Sequence, residues 1–149
     1  MLPHLSDSGE QRRAEGELVR QLSVDLGVPL ETSRIDLGKG AHIVADGFNR
    51  DHRILCEAYA HIGLTRGSQS HKIARDILKM LAAEKRLDGQ WRKILCFADR
   101  SAAQCVCGRS WLAAVCSDLG VAVKVFSLPA DLHAAVVAAQ KRQVMVNPS

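Results

Sequence analysis

The sequence has few aromatic residues and no long apolar run. Aromatic residues make up 4% of the 149 residues, so the core must be built mainly from Ala, Val, Leu and Ile side chains. No stretch approaches the roughly 20 apolar residues that a membrane-spanning helix requires. The first residues are neither basic nor followed by an apolar segment, so they do not predict a signal peptide. We therefore expect a cytoplasmic protein without a membrane partner.

The sequence also has few cysteines and a small net charge. There are five cysteines, an odd number, and most fall in apolar patterns where a thiol behaves as a small hydrophobic group, so a disulfide framework is not expected. The composition, 47% hydrophobic and 24% charged, is ordinary for a globular protein. The net charge of +4 is below that of a dedicated nucleic-acid coat protein. It permits a polyanionic partner without establishing one.

Apolar periodicity and turn residues divide the chain into alternating helices and strands. The predicted order is a helix over about 9–26, strands over 30–37, 41–48 and 53–61, a helix that begins after Gly67 with Ser68 or Ser70 as N-cap, a strand over 94–98, a helix over 102–119, a strand over 121–128 and a helix over 129–142. The early hairpin implies antiparallel pairing, and the later alternation implies parallel crossovers. We predict one α/β domain over 9–149, with a mixed sheet flanked by helices, preceded by a disordered end over 1–8.

Asp46, at the end of the second predicted strand, and Glu57, in the middle of the third, are candidate metal ligands. A four-residue loop over 49–52 would place Asp46 opposite Leu55 and make Glu57 its diagonal neighbour on the same face, roughly 7–8 Å away. A three-residue loop would put the two carboxylates on opposite faces. Two carboxylates on adjacent strands, with a backbone carbonyl and waters, suit Mg²⁺, which can bind a phosphate oxygen and lower the pKa of an attacking water.

The helix after the third strand offers further polar groups. Gln69, Lys72 and Asp76 recur at helical spacing and are predicted to share a face. That face is predicted to lie away from the apolar stripe of the helix. Lys72, in the first turn, is placed to reach back to the hairpin. An ammonium group there could stabilise charge on a phosphorane or orient a water.

The order α-β-β-β-α-β, with Asp46-Gly47 on the second strand and Glu57-Ala58-Tyr59-Ala60 on the third, resembles the PD-(D/E)XK nuclease superfamily. This superfamily has the restriction-endonuclease-like fold. In it the Asp and the Asp or Glu bind Mg²⁺, and a Lys two residues after the second acid assists the water. The resemblance covers roughly residues 9–128. It implies an αβββαβ core, which in this chain has a C-terminal αβα extension.

The resemblance implies a Mg²⁺-dependent endonuclease acting on DNA, with Mn²⁺ as a substitute cation. Its catalytic residues would be Asp46, Glu57 and Lys72, of which the first two would bind the metal. Tyr59 occupies the position of the family's Lys. In some members that Lys migrates to the following helix, which makes Lys72 the candidate here. Relatives of this kind are often dimers, so a homodimer or a subunit of a larger assembly is a further expectation.

Many members also place a Glu on the first helix, in the outer shell of the metal. Glu15 is favoured over Glu17 for this position, although the resemblance leaves both open. A rim of basic and polar residues could bind nucleic acid: Lys39, Arg66, Gln69, Arg75 and Lys79.

Simpler interpretations stay open for each motif. An Asp followed by Gly at a strand end is often a turn former, and the basic rim is equally consistent with a solvated surface. The tail over 140–147 is too apolar for a free end, so it either packs back on the domain or adds an edge strand to a partner.

Two other functions stay open. Tyr59 motivates a catalytically inactive module of the same fold, which would bind nucleic acid or serve as a subunit of a larger complex. A nucleotide-binding α/β protein is the third class, but no Gly-rich phosphate loop joins a strand to a helix.

Overall fold

The computed structural model describes residues 9–146, with side chains described as far as residue 145. The predicted disordered end over 1–8 lies outside this range. The elements are α1 (Gly9–Leu26), β1 (Glu31–Gly38), β2 (Ala41–Asn49), β3 (Ile54–Tyr59), α2 (Gly67–Leu87), β4 (Arg92–Phe97), a short 3₁₀ helix (Ala102–Val106), α3 (Trp111–Asp118), β5 (Val121–Val125) and α4 (Ala130–Val146). No helix in this range is both long and apolar enough to cross a membrane.

The strands form one mixed sheet in the order β1-β2-β3-β4-β5. The β1–β2 and β2–β3 pairs are antiparallel, whereas the β3–β4 and β4–β5 pairs are parallel. The prediction of an α/β fold with a mixed sheet is therefore confirmed. Every residue of β3 is buried, and in β4 only Arg92 is exposed. This is the pattern of central strands that are covered on both faces.

Two apolar layers sandwich the sheet. On one face α1 and α4 pack on the central strands, through residues that include Leu18, Leu22, Cys56, Ile94 and Val136. On the other face lie α2, the 3₁₀ helix and α3, through residues that include Leu55, Ile73, Ile77, Met80 and Phe97. The layers are mostly aliphatic, as the composition predicts. All five cysteines are free thiols.

Two predicted helix boundaries are wrong because side chains cap the helices elsewhere. The second helix begins at Gly67 with Arg66 as N-cap, and Gln69 Oε1 accepts a hydrogen bond from Arg66 N at 3.0 Å. The helix predicted over 102–119 breaks in two. Ser110 Oγ donates to the Cys105 carbonyl at 2.6 Å and accepts from Ala113 N at 3.1 Å, so it ends one segment and caps the next.

α4 is anchored to the domain near its end by polar contacts, whereas Val144 and Met145 beyond them are 57% and 83% exposed. The helix continues through Val146, so within the described residues the edge-strand interpretation of the tail is wrong. Gln140 explains the anchoring, because its side chain accepts a hydrogen bond from Ile62 N at 2.8 Å and donates one to Ile62 O at 3.0 Å. Arg142 adds an ion pair with Glu10 at 3.0 Å.

Asp46 and Gly47 form an irregularity inside β2. Glu31 pairs with Phe48 but Ser33 pairs with Ala45, so two residues of β2 lie opposite the single residue between Glu31 and Ser33, as in a β-bulge. The interpretation of Asp46-Gly47 as a turn former is therefore wrong. A Cβ at Gly47 would lie 3.1 Å from Cys56 Cβ and 3.3 Å from Val19 Cγ1. The glycine lets α1 lie close against the sheet beside Asp46.

We expect Gly47→Ala to destabilise the protein by about 1–3 kcal/mol, because the new methyl group overpacks two buried neighbours. Gly16→Ala is the control, since Gly16 lies inside α1 with open space around it. That change should stabilise the protein by about 0.5–1 kcal/mol. Urea unfolding measures both. Equal stabilities for the two variants would contradict the close packing at Gly47.

Candidate active site

The β2–β3 hairpin brings Asp46 and Glu57 together in a register that differs from the predicted one. Gly47 pairs with Cys56 and Phe48 pairs with Leu55. The turn therefore occupies 50–53 rather than 49–52, and the prediction that Asp46 faces Leu55 is wrong by two residues. The next position along the hairpin sets Asp46 against Glu57 directly rather than diagonally. A shift of two residues keeps side chains on their faces, so the carboxyl groups still converge.

Asp46 lies where β2 and β3 separate. Beyond the Gly47–Cys56 pair, Asp46 Oδ2 accepts a hydrogen bond from Ala58 N at 2.9 Å. The side chain thus replaces a backbone carbonyl of the ladder and is held in place by the neighbouring strand. Asp46 is half-buried, whereas Glu57 is buried with 7% of its surface exposed.

Glu57 keeps its proton beside Asp46. Burial is the largest cause that raises the pKa of Glu57, followed by the negative charge of Asp46, a hydrogen bond with Asp46 and the charge of Asp76, and together they bring the pKa to about 10. A buried carboxyl group beside another negative charge does not easily ionise. At neutral pH the Glu57 carboxyl is therefore protonated, and it is hydrogen-bonded to Asp46.

A second buried polar pair lies beside the first. Tyr59 OH donates to Asp76 Oδ2 at 2.9 Å, and Lys79 Nζ lies 3.7 Å from Asp76 Oδ1. Asp76 is only 7% exposed, so the prediction that it shares a face away from the apolar stripe of α2 is wrong. Asp76 comes three residues after Ile73 and four before Met80, and this helical spacing from two apolar residues was the signal in the sequence for a buried position. Tyr59 compensates its burial.

Two lysines of α2 lie near these acids. Burial raises the pKa of both Glu57 and Asp76. The charge of Lys79 lowers both pKa values in part, and the charge of Lys72 also lowers that of Asp76. Lys72 is exposed and lines a small cavity of about 60 Å³ together with Glu15 and Tyr59. Lys79 was predicted only as part of the nucleic-acid-binding rim. Of the two lysines, however, it is Lys79 that forms an ion pair with Asp76.

A larger cleft opens beside Asp46, between α1 and β1. We refer to it as the α1 cleft. It has a volume of about 600 Å³, and its lining includes Arg12, Glu15, Gly16, Arg20, Thr32 and Asp46. Glu17 does not line this cleft but bonds Arg20 at 2.7 Å. The geometry thus favours Glu15 over Glu17 as the acid of the first helix that approaches Asp46.

The predicted rim residues are spread along α2 rather than clustered. Arg66 caps the helix start, where Gln69 also bonds His61 Nδ1 at 2.7 Å. Arg75 and Lys79 are exposed further along α2. Lys39 is in the β1–β2 turn, and the adjacent Gly38 lies next to the guanidinium of Arg86, in the last turn of α2. The helix is about 30 Å long, so these residues span its length.

The Asp46–Glu57 pair fits a magnesium ion in part. Among residues 9–145, no three His, Cys, Asp or Glu side chains are arranged as a metal site. However, Mg²⁺ is usually held by only one or two carboxylates, with waters and substrate phosphates as its other ligands. The pair supplies two carboxyl groups, and a cation would offset the same repulsion that keeps Glu57 protonated. Water or substrate oxygens would have to complete the shell.

Comparison of the chain with protein-family models, with curated proteins and with solved structures finds no match. The residues of the site are therefore the only basis on which a function can be proposed for this chain.

The raised pKa of Glu57 predicts a pH dependence of stability. This pKa is raised from its ordinary value of 4.5 to about 10 in the folded protein, so the folded state binds one proton more than the unfolded state between these values. The free energy of unfolding should therefore decrease as the pH rises, by up to about 1.4 kcal/mol per pH unit. Urea unfolding between pH 5 and 9 measures the slope. Glu57→Gln should flatten it, and equal slopes for the variant and wild type would exclude a protonated Glu57 in the folded state.

Proposed function

We propose that this protein is a Mg²⁺-dependent nuclease of the PD-(D/E)XK type, and that it hydrolyses phosphodiester bonds in DNA as an endonuclease. The observation that carries the proposal is the convergence of Asp46 and Glu57 from adjacent strands, with a hydrogen bond between them, beside an open cleft. A buried acid pair of this kind opposes folding at neutral pH. Such sites persist where their chemistry is used.

The order of elements supports the same fold assignment. The chain runs α1-β1-β2-β3-α2-β4 and continues with α3-β5-α4, which agrees with the αβββαβ core and αβα extension expected from the sequence. The two acids lie on the second and third strands of this series. We therefore propose the restriction-endonuclease-like fold for this chain.

Each acidic residue has a proposed role. Asp46 and Glu57 would hold Mg²⁺, with Glu15 in the outer shell across the α1 cleft. When bound, Mg²⁺ supplies Lewis-acid stabilisation of a phosphodiester and a lower pKa for an attacking water. The hydrogen bond from Ala58 N keeps Asp46 oriented. Glu57 has to release its proton to become a ligand, so cation binding should release protons to the solvent.

An ammonium group near the acids would stabilise the charge that develops on the phosphate. Lys72 is the first candidate, because it lines the small cavity with Glu15 and Tyr59. Lys79 is the second, because it forms an ion pair with Asp76 and its charge reaches Glu57. Tyr59 cannot take this role, because its hydroxyl donates to Asp76 and burial raises its pKa.

Hydrolysis of supercoiled plasmid DNA tests the proposal. We expect nicking by the wild type in Mg²⁺ or Mn²⁺ and none in EDTA. Asp46→Asn and Glu57→Gln should each lower the rate at least about 100-fold, since several kcal/mol of transition-state stabilisation depend on the metal.

Asp36→Asn is the matched control for these variants, because Asp36 is an exposed acid on β1 whose side chain forms an ion pair with Arg34. It should cut as the wild type does. Equal nicking by wild type and Asp46→Asn would exclude this site. A thermal unfolding scan adds a readout besides activity, since Mg²⁺ should raise the Tm of the wild type more than that of Glu57→Gln.

The two lysines are separated by comparing Lys72→Ala with Lys79→Ala. Loss of an electrostatic stabiliser should lower kcat by about 10²–10³-fold, whereas loss of a general phosphate contact should raise KM with little change in kcat. We expect the kcat effect at one lysine only. Wild-type kcat for both variants would show that neither ammonium group acts in the reaction.

A second candidate is a catalytically inactive module of the same fold. It is favoured by the Tyr59–Asp76 hydrogen bond at the position of the family's Lys. Such a module would bind nucleic acid or serve as a subunit of a larger complex. Its signature would be binding that survives Glu57→Gln, with no metal-dependent hydrolysis.

A further inference from the structure

The α1 cleft has an unusual wall. Gly16 lies in the interior of α1 and lines the cleft, and outside its own stretch of helix no described atom lies within 4 Å of the position that a Cβ would occupy. Glycine weakens a helix relative to alanine. At Gly47 close packing explains the glycine, but at Gly16 no packed neighbour does. The backbone of α1 is therefore uncovered at Gly16 on the side of the cleft, which lets a ligand approach it closely.

The charged side chains of the cleft differ in burial. Glu15 and Asp46 are half-buried, whereas Arg12, Arg20 and a third acid, Glu31, are exposed. Arg20 bonds Glu17, and its side chain is 63% exposed. An ion pair with one exposed partner contributes little to stability, so phosphate can compete for that guanidinium. The cleft thus carries two arginines at exposed positions and two of its three carboxyl groups at half-buried ones.

We propose that the α1 cleft binds one sugar–phosphate strand of the substrate, which passes over Gly16 and between the two arginines toward Asp46. This inference rests on the proposed function, because the strand is the nucleic acid to be cut. It differs from the interface expected from the sequence, which lay along α2. Arginine is suited to the rim because its guanidinium binds phosphate bidentately.

The first experiment measures binding without hydrolysis. Fluorescence anisotropy of a labelled single-stranded 15-mer is recorded in Ca²⁺, which binds the same kind of oxygen ligands as Mg²⁺. Gly16→Phe fills the cleft and should weaken binding at least tenfold. Val24→Phe is the control, since Val24 lies on the same helix, is 71% exposed and does not line the cleft. It should change Kd less than twofold.

The second experiment compares two adjacent arginines. Arg12 lines the cleft, whereas Arg13, equally exposed, does not. Arg12→Glu should weaken binding at least tenfold and lower the slope of log Kd against log salt concentration by about 0.7, the value for one lost phosphate contact on a single strand. Arg13→Glu should leave this slope within about 0.2 of the wild-type value and change Kd much less.

The outcomes separate this inference from the proposed function. If the wild type hydrolyses DNA but Gly16→Phe and Arg12→Glu bind like their controls, the cleft is not the strand site and the nuclease proposal stands. Binding that depends on the cleft without any hydrolysis supports the strand site and contradicts the nuclease proposal. If the wild type neither binds the 15-mer nor nicks plasmid, both are wrong. Circular dichroism of each variant verifies that it is folded.

Discussion

A buried carboxyl group beside a second acid does not easily carry a negative charge, and the polar part of this structure depends on that constraint. Asp46 and Glu57 meet at the point where β2 and β3 separate, and Glu57 keeps its proton there. A divalent cation would relieve the same repulsion. In the proposed mechanism the site would therefore have two states, one with Glu57 protonated and one with a bound cation, and the pH and the cation concentration would select between them.

The surrounding structure keeps this strained pair in place. The bulge at Asp46-Gly47 interrupts the regular ladder, and Ala58 N, freed from a backbone partner, binds the Asp46 carboxylate instead. Gly47 allows α1 to pack against the same point of the sheet. Behind the pair, Tyr59 and Asp76 satisfy each other. In the part of the chain that the structure describes, no buried side-chain polar atom lacks a hydrogen-bond partner, so the polar cluster is accommodated within a mostly aliphatic core.

The proposed site is bordered by α2 on one side and by α1 on the other. On the α2 side, Lys79 contributes positive charge to the acids through Asp76. On the α1 side, the cleft with Arg12 and Gly16 reaches Asp46 from solvent. Asp46 is thus approached from both layers, because it lies where β2 and β3 separate. This position accounts for the roles proposed for the two helices, with a lysine of α2 near the acids and with the substrate strand and the outer-shell Glu15 on the α1 side.

Much of the fold was predictable because its signals are local. Apolar periodicity and turn residues predicted the order of helices and strands, and strand alternation predicted that Asp46 and Glu57 would converge, since an error of two residues in register does not change the face. Errors at the helix boundaries arose where several side chains within a few residues of each other could cap a helix, and only their hydrogen bonds decide which one does. Ser110 divides the predicted helix over 102–119 by bonding Cys105, and Gln69 rather than a serine completes the start of α2.

By itself, therefore, the sequence determined the α/β class, the aliphatic core and the pairing of two acids from adjacent strands, because all three follow from residue type and spacing along one stretch of chain. Only the tertiary structure decided that Asp76 is buried against Tyr59, that Glu57 retains its proton and that the α1 cleft opens beside Asp46. These features arise from contacts between elements far apart in the chain. Their free energies depend on burial and on neighbouring charges, which the pattern of residues along a single element does not contain.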